Sequence, residues 1–149
     1  MKQRVLVVDP DGDVREVIDL TLRDAGYRVL DVADVEMARL LLEVSRVSWV
    51  VLLDYGPRAN TKWQEQVQVL LNEVARLPLH AWVLLSALPA ETPADLYNPH
   101  THRIVPVLSM PFTLDELTDS VEQAAGCLAP AARLITFANQ RSPRAPEFT

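Results

Sequence analysis

Among the 149 residues, 20 acidic and 14 basic side chains leave a formal charge of −6, which repels phosphate backbones and argues against nucleic acid as a direct partner. With 49% apolar and 23% charged residues, the chain has the composition of a globular protein and the length of one domain with a substantial core. A single cysteine, Cys127, excludes an internal disulfide, no apolar run approaches a membrane span, and "MKQRVLVVD" enters a strand pattern without room for a signal peptide. A soluble cytoplasmic protein is expected.

Taken in order, short apolar runs alternate with helical periodicities. The runs are "RVLVVD" (4–9), "YRVLDVA" (27–33), "WVVLLD" (49–54), "HAWVLLS" (80–86) and "RIVPVLS" (103–109). Runs that are apolar throughout, rather than alternating, predict strands buried on both faces of a parallel sheet. The first helix should bury Val14, Val17, Ile18 and Leu22 and end at Gly26 as its C′ residue. Asp34 is placed to cap the second. The third repeats Trp63, Val67, Leu70, Leu71, Val74 and Leu77 at spacings of three and four.

The fourth helix is the weak one. Residues 87–102 hold Pro89, Pro93 and Pro99, so a helix there is predicted to be short, one or two turns near Ala94 to Tyr97. The fifth opens on "TLDE" (113–116), a capping box of Thr113 and Glu116, and is expected to bury Leu114, Leu117, Val121 and Leu128. Residues 129–149 contain three prolines and no sustained period, and are expected to form a partly disordered tail or linker after a domain at 1–128. Five such units predict a doubly wound, flavodoxin-like sheet in the order 2-1-3-4-5. The site then belongs beyond the carboxyl ends of the strands, where Asp9, Asp54 and Ser86 close the first, third and fourth runs.

The stretch "VLVVDPDGDV" (5–14) admits three chemistries. A calcium loop counted from Asp9 needs glycine sixth and glutamate twelfth, but those positions hold Val14 and Leu20. D-x-D-G resembles the opening motif of haloacid-dehalogenase-like phosphatases, with Asp9 as nucleophile and Asp11 as general acid. That chemistry also requires a lysine and further carboxylates, whereas the only lysines are Lys2 and Lys62 and no later acidic pair appears.

The third reading takes in the whole order of elements. "VLVVD", "WVVLLD", "VLLSA" and "VLSMPF" (107–112) succeed one another as in a receiver domain, and from Val5 to about Leu128 the chain resembles that domain of bacterial two-component response regulators. The resemblance implies a CheY-like fold, Asp54 as phosphoacceptor and Ser86 as the hydroxyl that follows the phosphoryl group. It implies Mg²⁺ held by Asp9, Asp54 and the Gly56 carbonyl, a sensor histidine kinase as partner, and dimerisation through the fourth helix, fifth strand and fifth helix. A carboxylate attacking a phosphohistidine approaches a dianion, which Mg²⁺ and a lysine neutralise.

Three positions depart from that pattern. Pro10 replaces the second carboxylate of the acidic pair, Met110 replaces the lysine before Pro111, and Val107 replaces the aromatic residue of the fifth strand. Proline has no side-chain oxygen for a hard cation, and Asp11 would start from the wrong place on the turn, so weak Mg²⁺ binding is expected. Arg58 is a candidate substitute cation. His100-x-His102 lacks a third ligand and reads as exposed loop histidines, and Trp49, Trp63 and Trp82 read as packing residues. The reading is an atypical receiver acting mainly by protein contact and not as an enzyme beyond self-phosphorylation. A working phosphoacceptor is the alternative and a phosphohydrolase a third.

Overall fold

A computed structural model describes residues 3–55, 61–73, 77, 79–87, 97–98 and 103–141, with the backbone alone at 97–98, 103–104 and 129–141. The elements are β1 (Arg4–Val8), α1 (Gly12–Asp24), β2 (Arg28–Val32), α2 (Val35–Val44), β3 (Trp49–Asp54), α3 (Thr61–Asn72), β4 (Ala81–Ser86), β5 (Tyr97–Asn98), β6 (Arg103–Ile104), β7 (Val107–Ser109) and α4 (Leu114–Arg141). Five strands form one parallel sheet in the order β2-β1-β3-β4-β7, so β7 takes the fifth place. This is the predicted doubly wound architecture.

Successive residues of a strand point to opposite faces, and here both faces are covered. Val5, Val7, Val50, Leu52, Val83 and Leu85 pack with Ile18 and Leu22 of α1 and Leu117 and Val121 of α4. Leu6, Val8, Val51, Leu53 and Leu84 pack with Val35 and Leu42 of α2 and Trp63, Val67 and Leu70 of α3. Burial on both sides is why these runs are apolar at every position.

The helix termini follow their sequence signals. Asp34 caps α2 through the Glu36 amide, and Gly26, at φ 96°, takes the left-handed conformation after α1 that glycine adopts without strain. Thr113 and Glu116 exchange backbone bonds, the Thr113 amide donating to the Glu116 carboxylate at 2.8 Å and the Glu116 amide to Oγ1 of Thr113 at 3.1 Å. Thr113→Ala is expected to lower the unfolding free energy by about 1 kcal/mol, read as an earlier urea midpoint at unchanged slope.

Four expectations are corrected. Val17 is 51% exposed and Leu114 57%, so the buried stripes run through Ile18 and Leu22, and through Leu117, Val121 and Leu128. Leu114 is the first residue of α4 and lies outside the stripe that its partners form. Tyr97, expected at the end of a short helix, belongs to a two-residue strand paired antiparallel to β6, with Tyr97 opposite Ile104. The fifth apolar run is divided: β6 pairs with β5, and only β7 joins the main sheet, on the far side of Pro106, which cannot donate to a ladder. The helical backbone of α4 continues beyond Leu128 to Arg141, although Pro130 cannot donate the amide bond to the Gly126 carbonyl. Ala94 and the histidine pair at 100 and 102 lie outside the described residues.

Candidate functional site at the carboxyl ends of the strands

β1 and β3 are neighbours in register, so Asp9, just past β1, and Asp54, the last residue of β3, emerge side by side. Ser86 ends β4, the next strand over. All three are buried, at 0%, 6% and 1% exposure. The sequence positions thus converge as predicted at neighbouring strand ends.

Asp9 is held from several directions. Its Oδ1 accepts the Asp11 amide at 2.8 Å, its carbonyl accepts from the Arg15 guanidinium at 2.7 Å, and its own amide donates to the Val32 carbonyl at 3.3 Å. Its Oδ2 is buried and receives no N–H from the described residues. The carboxyl of Asp54, in register on the neighbouring strand, lies next to the Asp9 side chain, and two carboxyls so placed can hydrogen-bond only if one keeps a proton. Burial first, then the bond to Asp54, pushes the Asp9 pKa up to about 8, against the Asp11 amide, which favours the anion. Asp9 is therefore the group at this strand end whose charged form is disfavoured near neutral pH.

The described groups around the pair are mostly apolar or engaged elsewhere. The backbone N–H of Met110 donates to the Ser86 carbonyl at 2.8 Å, and the Met110–Pro111 bond is cis, so the turn after β7 is fastened to the end of β4. Met110 itself packs against the core. With Val14, Val17, Ile18 and Phe112 it lines an open pocket of about 500 Å³ between α1 and the turn, and the resemblance implies a lysine in place of Met110. Arg15 is near, but its guanidinium is turned to the Asp9 main chain.

Asp11 is committed elsewhere. Its carboxylate caps α1, accepting the amides of Asp13 at 2.9 Å and Val14 at 3.4 Å. Turning it toward Asp9 would uncap the helix, at a cost of about 1 kcal/mol. Gly56 and Arg58 lie outside the described residues. Among those described, no three His, Cys, Asp or Glu side chains converge as a metal site.

One contact carried no sequence signal. The Trp63 indole on α3, expected only to pack, donates its N–H to the Asp54 carbonyl at 2.8 Å. It clamps the strand end that carries the candidate phosphoacceptor. Arg15 and Trp63 are thus the two residues around the site that periodicity and motif did not single out for it.

No protein-family model matches the chain, and no curated protein does. Solved structures do. A response regulator receiver domain protein (CheY-like) from Methanospirillum hungatei JF-1 is 23% identical at a TM-score of 0.62, over 89% of this chain and 99% of that one. The fold is that of the receiver domain. A response regulator of Thermotoga maritima, solved in complex with Mg²⁺-BeF, shares the receiver fold at 20% identity and a TM-score of 0.61, over 82% of this chain and 98% of that one. An adenylate cyclase structure from Rhodopirellula baltica shares it at 12% identity and 0.66, over 94% and 99%. Likeness at these identities carries the receiver fold and not its chemistry, because one fold hosts many functions.

Proposed function

We propose that the chain is a signalling receiver module of a two-component or phosphorelay pathway, acting mainly through protein contact, with phosphorylation of Asp54 impaired. One observation carries this reading: Asp9 and Asp54 are buried side by side at neighbouring strand ends, and apolar Met110, at the position where the resemblance implies a lysine, packs against the core. Adding a phosphoryl dianion there raises the negative charge, and the Met110 side chain cannot offset it.

The orphaned Asp9 Oδ2 and the neighbouring Asp54 carboxyl are suited to Mg²⁺, whose charge would offset theirs. Pro10 adds no oxygen and Asp11 is spent on its cap, so the described side chains offer two carboxylates and the binding should be weak. The same orphaned oxygen favours the second reading, a working phosphoacceptor at Asp54 with Ser86 beside it. The phosphohydrolase reading is weakened, because its general acid would be Asp11, which is engaged by two amides of α1.

A contact role suits the edge formed by β7 and the start of α4, where Val107 and Leu114 stay exposed. Partners there would be another signalling protein, a sensor histidine kinase or a second copy. No helix among the described residues is long and apolar enough to cross a membrane.

The test is intact mass after incubation with Mg²⁺ and acetyl phosphate, with Asp54→Asn alongside. The expected result is little or no phosphoryl gain in a protein whose circular dichroism shows it folded. A gain of one phosphoryl group that disappears in Asp54→Asn would overturn the contact-only reading in favour of the working phosphoacceptor.

A further inference from the structure

At the other end of the sheet, where β3 and β4 begin, His80 is buried at 2% exposure. Its Nδ1 accepts the Trp49 backbone N–H at 3.2 Å, which places the ring proton on Nε2, facing the Leu42 carbonyl at 3.2 Å. Leu42 belongs to the last turn of α2, whose carbonyls have no partner within the helix. One neutral ring thus joins the end of α2, the first residue of β3 and the start of β4. A second bond reinforces the junction, from the Trp49 indole N–H to Oγ of Ser45 at 2.9 Å.

Among the described residues, nothing around the ring is arranged to accept a charge. On α2, Glu36, Arg39 and Glu43 pair with one another on the outer side, and Glu73 after α3 acts on Arg39. Arg46, in the connection to β3, is exposed. β3 and β4 bring Trp49 and Ala81, and Leu77 before His80 is apolar and buried. Burial holds the imidazole pKa below its ordinary range, with the Leu42 carbonyl pulling the other way.

We propose that His80 is an acid-operated latch that holds the α2–β3 junction closed while its ring is neutral. A proton arriving from solvent can add only at Nδ1. The new N–H then points at the Trp49 N–H, that bond is lost, and an unpaired cation is left in the core. The open junction takes up the proton in the ordinary imidazole range and the closed one resists it. Closure is therefore complete above about pH 6.5, and each pH unit below that multiplies the opening constant by up to about ten.

Hydrogen exchange of the Trp49 amide, corrected for its intrinsic rate, reads this directly. Its protection factor should fall about tenfold or more between pH 7 and pH 5. His80→Gln, which keeps a donor for the Leu42 carbonyl, and His80→Asn, which keeps an acceptor for the Trp49 amide, should remove that pH dependence; either one that folds suffices. Trp49 should also stay less protected than Leu6 of β1 throughout, marking the opening as local. Protection at Trp49 that is equal at both pH values, or that falls alike in the variants, would overturn the latch, as would a Trp49 no less protected than Leu6 at pH 5.

Discussion

Asp9→Asn should make this protein more stable at neutral pH, by about 2–4 kcal/mol, or roughly 5–12 °C in melting temperature for a domain of this size. In the native protein Asp9 must either hold a proton that it would release in the unfolded chain or face Asp54 as a second anion. An asparagine amide ends that conflict, because it can keep an acceptor for the Asp11 amide and offer an N–H to the Asp54 carboxylate. The native pKa of Asp9 lies above its unfolded one, so the stabilisation due to its proton is fully present below about pH 3.8 and is lost as pH rises toward 8. Urea midpoints across pH 5 to 9 should therefore fall with rising pH in the wild type and fall much less in Asp9→Asn. A variant less stable than wild type at pH 8 would mean that the Asp9 carboxylate is compensated by a group the site geometry does not contain.

The second large effect is a gain. Pro10→Asp with Met110→Lys should raise Mg²⁺ affinity and the rate of Asp54 phosphorylation by acetyl phosphate by roughly 10–100-fold each. The first change supplies an oxygen ligand beside Asp9, and the second places an ammonium on the turn that the Met110 amide already fastens to Ser86. Isothermal titration with Mg²⁺ and intact-mass time courses would follow the two properties separately. Equal rates in wild type and double variant would place the block elsewhere in the site, away from these two positions.

The sheet was legible because burial on both faces leaves its mark on every residue of a strand: "VLVV", "VVLL" and "WVLL" have no polar position to misread. The strand-end residues were legible for the same reason, since Asp9, Asp54 and Ser86 are where each apolar run stops. Asp11 was half legible. An aspartate just before a helix is a cap signal, but the D-x-D-G pattern drew attention to its chemistry, and the amides of Asp13 and Val14 claim it. Trp63 could not be assigned to the Asp54 carbonyl from spacing, because that contact exists only once α3 lies across β3. His80 was hidden in the lead-in to an apolar run, while the more conspicuous pair at 100 and 102 attracted the metal question. The helix that passes through Pro130 shows a limit of single-residue rules: one proline removes one hydrogen bond, and the flanking turns carry the helix on.

The reach of α4 has a mechanical meaning. At the ordinary rise per residue its 28 residues make a rod about 40 Å long, roughly twice the length of a six-residue strand. Its first turn is capped beside the Met110–Pro111 turn, and its first half is gripped by the sheet through Leu117, Val121 and Leu128. Beyond Leu128 the helical backbone runs on to Arg141. A tilt of some 10° in the gripped half would carry the far end through roughly 3 Å, a displacement large enough to make or break a contact with whatever is joined there.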